Sequence, residues 1–186
     1  MNKSIVLIRF SSRNFGNCKA IADKIRDYYQ TKKVLDFTVD ANTVEPCSNC
    51  DYECLTPGKT CPNLDDVQKT IMEAICNADL TYFIVPNYCG YPCANYFAFN
   101  ERTVGYFNGD RELMKKYMSV PKRFIIVSNT EGDNFANAMK QQVNGEPEML
   151  YLKTGKYKKR STAGDMMESD DAQTDLKAFL DRDATY

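Results

Sequence analysis

Histidine is absent from the 186 residues of this chain. Without it the protein cannot build a Ser-His-Asp or Cys-His catalytic group, a histidine-ligated metal centre or a histidine acid–base. An excess of charge is missing too, since 24 Lys and Arg stand against 25 Asp and Glu. Such a balance provides no broad attraction to nucleic acid or to anionic lipid. These absences exclude many hydrolase mechanisms and argue against a dedicated nucleic-acid binder.

The chain also lacks the pattern of a secretory signal or a membrane helix. Its short first apolar run is interrupted by Arg9, and no small-residue cleavage pattern follows. The longest stretch without a charge covers 21 residues, 80–100, but it contains Pro86, Gly90 and Pro92. We therefore expect a cytoplasmic protein with no membrane partner, in which thiols stay reduced.

Eight cysteines are the feature of the composition that most needs an explanation. Together with the missing histidine they point to redox or metal–thiolate chemistry. Four of them lie within 15 residues of one predicted loop, 47–61, at Cys47, Cys50, Cys54 and Cys61. Cys76 instead falls on the apolar face of a predicted helix, where we expect a small core residue.

Short apolar runs alternate with helical patterns along the chain, which is typical of a parallel sheet with helices on both faces. Strands are predicted over residues 5–10, 34–39, 80–85, 123–127 and 149–152. Helices are predicted from Asn17, after Asp65 and Asp66, and over residues 171–180. This length predicts one domain, residues 1–186. Its ligand should bind where the first, third and fourth strands end.

The first of these loops, residues 11–18, has the sequence SSRNFGNC and leads into a helix whose free N–H groups suit a phosphate. Gly16 allows a tight turn, and Arg13 adds a charged donor. An ordinary capped helix start is the alternative. The glycine spacing matches neither a Walker A loop nor GxGxxG, so we expect neither a nucleoside triphosphate nor a Rossmann-bound dinucleotide.

The other two loops have a composition suited to a flat ring. The second, residues 86–92, is PNYCGYP and places Tyr88, Tyr91 and Gly90 at a strand end, where an aromatic side chain can cover a ring. The third, residues 128–134, is SNTEGDN and adds polar donors. Together the three loops predict one phosphate site and two walls for a ring on the same edge of the sheet.

With these loops the chain resembles the flavodoxin-like, NAD(P)H-dependent FMN reductase family, and more closely its iron–sulfur flavoprotein branch. The resemblance rests on SSRNFGN after the first strand, on the cysteine run followed by Asp65 and Asp66, and on VPNYCG at the end of the third strand. It covers most of the chain. It implies a flavodoxin-like α/β three-layer sandwich around a five-stranded parallel sheet in the order 2-1-3-4-5.

The resemblance also implies which residues bind FMN. Around the phosphate it places Ser11, Arg13, Gly16, Asn17 and Cys18. Around the isoalloxazine ring it places Pro86, Asn87, Tyr88, Cys89 and Gly90, with Asn129, Thr130 and Gly132 closing the other edge. Cys18 stands where the family more often has Ser or Thr, so a hydroxyl donor is missing there.

The implied function is that of an FMN-dependent NAD(P)H oxidoreductase. A transiently bound NAD(P)H gives its hydride to the flavin, whose N5 carries the chemistry, and an unknown small molecule or small redox protein accepts the electrons. No side chain is assigned a catalytic role. Two alternatives stay open: a non-enzymatic electron-transfer protein of the flavodoxin type, and a flavin-free module that binds metal or uses its thiols.

The cysteine loop has three interpretations. Iron–sulfur flavoproteins hold a 4Fe-4S cluster with a similar run, but they usually have two residues between the second and third cysteines, where this chain has three. Cys47, Cys50, Cys54 and Cys61 are the candidate ligands. A zinc site with four thiolates is the second interpretation. Metal-free thiols or a reversible disulfide form the third.

Two further segments stand out by composition. One is rich in aromatic residues, which indicates core or subunit interface and leads us to expect a homodimer or a higher homo-oligomer; it contains Tyr96, Phe97, Phe99, Tyr106 and Phe107. The other, residues 156–160, has four basic residues in five. We expect a solvated surface segment there, which could attract an anionic cofactor.

Overall fold

A computed structural model describes residues 4–47, 50–64, 66–130 and 134–183. The apolar runs form strands, which are β1 Ser4–Arg9, β2 Lys33–Thr38, β3 Leu80–Tyr88, β4 Tyr91–Pro92, β5 Lys122–Ser128 and β6 Glu148–Lys153. The helices are α1 Asn17–Tyr28, α2 Val67–Cys76, α3 Ala94–Glu101, α4 Thr103–Phe107, α5 Arg111–Ser119, α6 Phe135–Lys140 and α7 Asp170–Asp181. Short 3-10 turns occur at Glu53–Leu55, Thr154–Tyr157 and Met166–Glu168.

Five strands form one parallel sheet in the order β2-β1-β3-β5-β6. In its register, Val6 of β1 lies between Leu35 and Thr81, and Pro86 pairs with Val127. The short β4 pairs antiparallel with β3. With β4 set aside, this is the predicted order 2-1-3-4-5, the doubly wound arrangement of flavodoxin-like proteins. The order reverses between β1 and β3, where such folds bind their ligands.

The three central strands, β1, β3 and β5, bury both faces, as their nearly continuous apolar sequences predict, whereas the outer strands β2 and β6 are mostly half-buried. Ile5 and Leu7 of β1 point to one side, where α1 and α7 pack. Val6 and Ile8 point to the other side, against α2, α3, α5 and α6. The predicted three-layer sandwich is thereby confirmed. Cys76 lies in the second core layer, as expected.

The structure shifts the first two predicted strands by one residue towards the N-terminus, lengthens the other three by two or three residues and adds a hairpin. β3 continues to Tyr88, which pairs with Tyr91 across a two-residue turn. Cys89 and Gly90 have φ values of 54° and 86°, which suit the type I′ turn that such a short hairpin needs. The second loop is therefore a tight hairpin turn that leads from β3 through β4 to α3.

The ends of the helices follow local chemistry. Asp66 caps α2 by accepting a hydrogen bond of 3.0 Å from the N–H of Gln68, while Asp65 lies outside the described residues.

In the aromatic segment, Tyr96 and Phe99 are fully buried, whereas Phe97 is 43% exposed. Within the described ranges, no helix is long and apolar enough to cross a bilayer.

Candidate functional site

Asn87 joins the second and third loops where β3 and β5 end. Its side-chain nitrogen lies 2.7 Å from Ser128 Oγ, and its side-chain oxygen accepts a hydrogen bond of 2.9 Å from the N–H of Gly90. Ser128 Oγ in turn accepts from the N–H of Thr130 at 3.0 Å. Asn87 is only 7% exposed, and its amide links the two loops through these hydrogen bonds.

A cavity of about 500 Å³, which we call the inner chamber, lies between these walls. It is lined by Arg13, Pro86, Asn87, Tyr88, Cys89, Val127, Asn129, Thr130, Ser161 and Thr162. Seven of these ten were assigned to the FMN site from the sequence. The chamber thus brings one predicted phosphate residue, Arg13, together with six of the eight predicted ring-binding residues.

A second cavity of about 470 Å³, the outer chamber, adjoins it on the other side of Arg13 and Tyr88, which line both. Its lining comes from the ends of β1 and β4 and the start of α3: Phe10, Ser11, Ser12, Arg13, Tyr88, Pro92, Cys93, Ala94 and Asn95. Ser11 therefore lines the outer chamber, and its contact with a phosphate stays a prediction. Tyr88 is 59% exposed, so its ring is available to both chambers.

The start of α1 lines neither chamber. Gly16, Asn17 and Cys18 are buried, and the Asn17 side chain is 1% exposed because its polar atoms bond within the protein. Its nitrogen lies 3.4 Å from the carbonyl oxygens of Arg160 and Ser161. Burial raises the pKa of the Cys18 thiol to about 12. Direct contact of these three residues with a phosphate stays a prediction.

The partner of Asn17 is a segment that the sequence did not assign to the site. Residues 158–166, which we call the strap, cross over the first loop. Arg13 donates a hydrogen bond of 3.3 Å to the Ser161 carbonyl. Gly164 has a φ of 77°, and a Cβ there would lie 2.1 Å from the Phe15 carbonyl oxygen, so only glycine fits. The basic run 156–160 was the sequence signal for this region.

The strap carries unbalanced positive charge. Lys159 is paired with Asp165 at 3.4 Å and with Glu168 at 3.1 Å, and Lys156 is paired with Asp175. Lys158 and Arg160 are exposed and have no acidic partner among the described residues. Positive charge therefore remains next to the inner chamber.

The remaining predicted site residues have separate positions. Gly90 forms the hairpin turn, where a Cβ would lie 3.6 Å from Nδ2 of Asn134. Gly132 lies outside the described residues. Cys89 is exposed, whereas Cys93 is buried and its Sγ lies 3.2 Å from the Phe10 carbonyl oxygen.

The cysteine loop packs on α4. A Cβ at Gly105 would lie 2.8 Å from the Cβ of Cys61 and 3.6 Å from the Cβ of Cys54, so the loop needs glycine there. Cys47 is exposed, and slight desolvation of its thiol, followed by the charges of Cys50 and Glu101, raises its pKa. Burial and the charges of Cys61 and Cys50 raise the pKa of Cys54. The four thiols are therefore electrostatic neighbours.

Arg102 clamps both ends of this loop. It is 2% exposed and donates to the carbonyl of Glu45 at 3.0 Å, to the carbonyl of Asn63 and to the carboxylate of Asp66. The N–H of Cys47 also lies 2.6 Å from Glu101 Oε1. Across the ranges that the structure describes, no three Cys, Asp or Glu side chains converge as a metal site. The 4Fe-4S cluster therefore stays a prediction.

Solved structures share this architecture. Trp repressor binding protein from Bacillus subtilis matches with 16% identity and a TM-score of 0.61, over 96% of this chain and 97% of that one. Smu.1420 from Streptococcus mutans matches with 11% identity and a TM-score of 0.63, over 98% of this chain and all of that one. This chain has the flavodoxin-like fold.

A third match is FerB from Paracoccus denitrificans, a flavoenzyme NAD(P)H:(acceptor) oxidoreductase, with 13% identity and a TM-score of 0.54 over 96% of each chain. No protein-family model matches the sequence. A comparison with curated proteins finds no relative. At these identities the similarities show the flavodoxin-like fold, and its activity has to be argued from the site.

Proposed function

We propose that the protein is an FMN-dependent oxidoreductase that takes electrons from NAD(P)H and passes them to a small acceptor. The supporting observation is the inner chamber, in which Arg13, the second loop and the third loop meet at the carboxyl edge of the sheet. The similarity to FerB, a flavoenzyme NAD(P)H:(acceptor) oxidoreductase of the same fold, adds to this support.

The residues present fit FMN. Arg13 supplies a guanidinium, and Ser11, Thr130 and Ser161 supply hydroxyls for a phosphate and a sugar-alcohol chain. Pro86 and Tyr88 supply apolar and aromatic surface for a flat ring. FMN, when bound, supplies the hydride-accepting chemistry, so the absence of histidine is no obstacle.

The protein's own contribution is to hold and orient the ligands. Asn87 keeps the second and third loops together through Ser128 and Gly90, so the walls of the chamber are set before a ligand arrives. Tyr88 borders both chambers. With the ring in the inner chamber, a nicotinamide and then an acceptor can therefore occupy the outer chamber in turn.

The cysteine loop and the surface of α3 to α5 carry the finer parts of the proposal. Four neighbouring thiols, with Gly105 clearing space for Cys54 and Cys61, support a thiolate metal centre such as 4Fe-4S. Among the described residues these thiols do not converge, so the cluster stays a separate part of the proposal with its own test. Exposed Phe97, Val104 and Met114, one on each of three helices, support a homodimer.

The first test is anaerobic purification followed by an absorption spectrum, an FMN titration and steady-state oxidation of NADH and NADPH with a quinone as acceptor. We expect FMN to bind and NAD(P)H to be consumed. FMN binding without turnover would favour an electron carrier, and failure to bind FMN would reject the proposal. Iron and zinc assays on the same sample test the cysteine loop, with Cys47→Ser losing any metal and Cys89→Ser as the control.

A further inference from the structure

One end of the inner chamber contains a guanidinium and two hydroxyls from distant parts of the chain. Arg13 comes from the first loop, and Ser161 and Thr162 come from the strap, yet all three line one cavity. In the structure as described, neither strap hydroxyl takes part in a hydrogen bond. The Ser161 carbonyl oxygen accepts a hydrogen bond from one of the five N–H groups of the Arg13 guanidinium.

The strap is held in place before any ligand binds. Asn17 bonds to the carbonyls of Arg160 and Ser161 and to the N–H of Met166. Gly164 packs directly on the Phe15 carbonyl, at a distance that leaves no room for a Cβ. Ser161 and Thr162 lie between these two anchors, so their positions relative to Arg13 are preorganised.

The charge at this end of the chamber suits an anion. The described lining residues include Arg13 and no Asp or Glu. Arg160 directly precedes Ser161 in the chain and is exposed without an acidic partner among the described residues. A guanidinium with neighbouring hydroxyls is a donor set well suited to a phosphate monoester.

We propose that Arg13, Ser161 and Thr162 form a binding corner for a phosphate monoester, built by the strap and not by the start of α1. The strap hydroxyls take the place of the hydroxyl donor that Cys18 lacks. The inference rests on the proposed function, which offers two sources of such a phosphate. One is the 5′-phosphate of FMN, and the other is the 2′-phosphate of NADPH.

The test compares ligands that differ only in the phosphate. Ser161→Ala with Thr162→Val, and separately Arg13→Gln, are titrated with FMN and with riboflavin. If the corner holds the FMN phosphate, the affinity for FMN falls about tenfold or more while the affinity for riboflavin is unchanged. Ser119→Ala with Thr174→Val, on exposed surface away from the chambers, is the matched control and should bind FMN as the parent does.

The second arm measures kcat/KM for NADPH and NADH with the same variants. If the corner holds the 2′-phosphate, the NADPH-to-NADH ratio falls about tenfold or more while the FMN affinity stays constant. The inference would be overturned by variants that fold normally and change neither the preference for FMN over riboflavin nor the preference for NADPH over NADH.

A separate measurement tests the corner even if the proposed function fails. If the parent protein binds neither flavin, inorganic phosphate is titrated into the parent and the double strap variant, with the thermal midpoint as the signal. Stabilisation by phosphate that the variant loses supports the corner. An equal response from the two proteins overturns it.

Discussion

The side-chain oxygen of Asn17 accepts a hydrogen bond of 3.0 Å from the backbone N–H of Met166, 149 residues further along the chain. Both residues are buried, with 1% and 0% of their surface exposed. The bond ties the first turn of α1 to the strap. Asn17 therefore affects the inner chamber through Ser161 and Thr162.

Asn17→Ala should loosen this tie. Removal of the side chain leaves the buried N–H of Met166 without its acceptor, which costs about 1–3 kcal/mol of the free energy of unfolding. Because the strap then loses its anchor, the affinity for FMN should also fall. Urea unfolding and an FMN titration measure the two effects. Asn14→Ala, at an exposed position of the same loop, is the control and should change neither quantity.

Arg102→Lys should release the cysteine loop. A lysine keeps the charge but cannot reach Glu45, Asn63 and Asp66 at the same time, so partly buried acceptors lose their donors. Removing one partner from a fully buried ion pair costs about 3–5 kcal/mol. Because Asp66 is partly exposed and the charge is kept, this change should cost less. Cys61 should become accessible to iodoacetamide in the native protein.

Arg111→Lys is the control for this change because Arg111 is exposed at the start of α5. Mass mapping after alkylation shows which cysteines react. Native Arg102→Lys protein with Cys61 as protected as in the parent would contradict the clamp.

The periodic parts of this structure were predictable and the long-range ones were not. Apolar runs located the five strands of the parallel sheet, because a strand buried on both faces has a local sequence signature. The strap was missed because its contacts join residues about 150 positions apart. Asn87 was expected at a ring, but whether an amide meets a ligand or Ser128 depends on tertiary contacts that no local pattern encodes.

Gly105→Ala should disturb the cysteine loop from the side of α4, on which the loop packs. The new Cβ would lie 2.8 Å from the Cβ of Cys61, so the loop has to move away from α4. Overpacking of this kind costs about 1–3 kcal/mol. We expect a lower urea midpoint and, if the protein as purified contains iron or zinc, a lower metal content. Gly155→Ala, where a Cβ would meet nothing within 4 Å, should leave both unchanged.

The cysteines should fall into two classes of reactivity. Burial raises the pKa of Cys93 to about 11 and that of Cys18 to about 12, so both are neutral thiols at pH 8, and both are shielded. Cys47 and Cys89 are exposed. In metal-free protein, iodoacetamide at pH 8 should modify Cys47 and Cys89 in the native state and reach Cys18 and Cys93 only after unfolding. Native-state labelling of Cys18 would contradict its burial.

The raised pKa of Cys18 also makes the free energy of unfolding depend on pH. In the unfolded chain Cys18 ionises near its ordinary pKa of 9.0, whereas in the folded protein it holds its proton until about pH 12. The folded state therefore binds more protons in this window, and the stability that Cys18 contributes declines as pH rises from 9 towards 12. Cys18→Ala removes this contribution. The difference in unfolding free energy between parent and Cys18→Ala should be constant below pH 8.5 and should shift in favour of the variant by pH 10.5; a constant difference throughout would show that Cys18 is not buried as a neutral thiol.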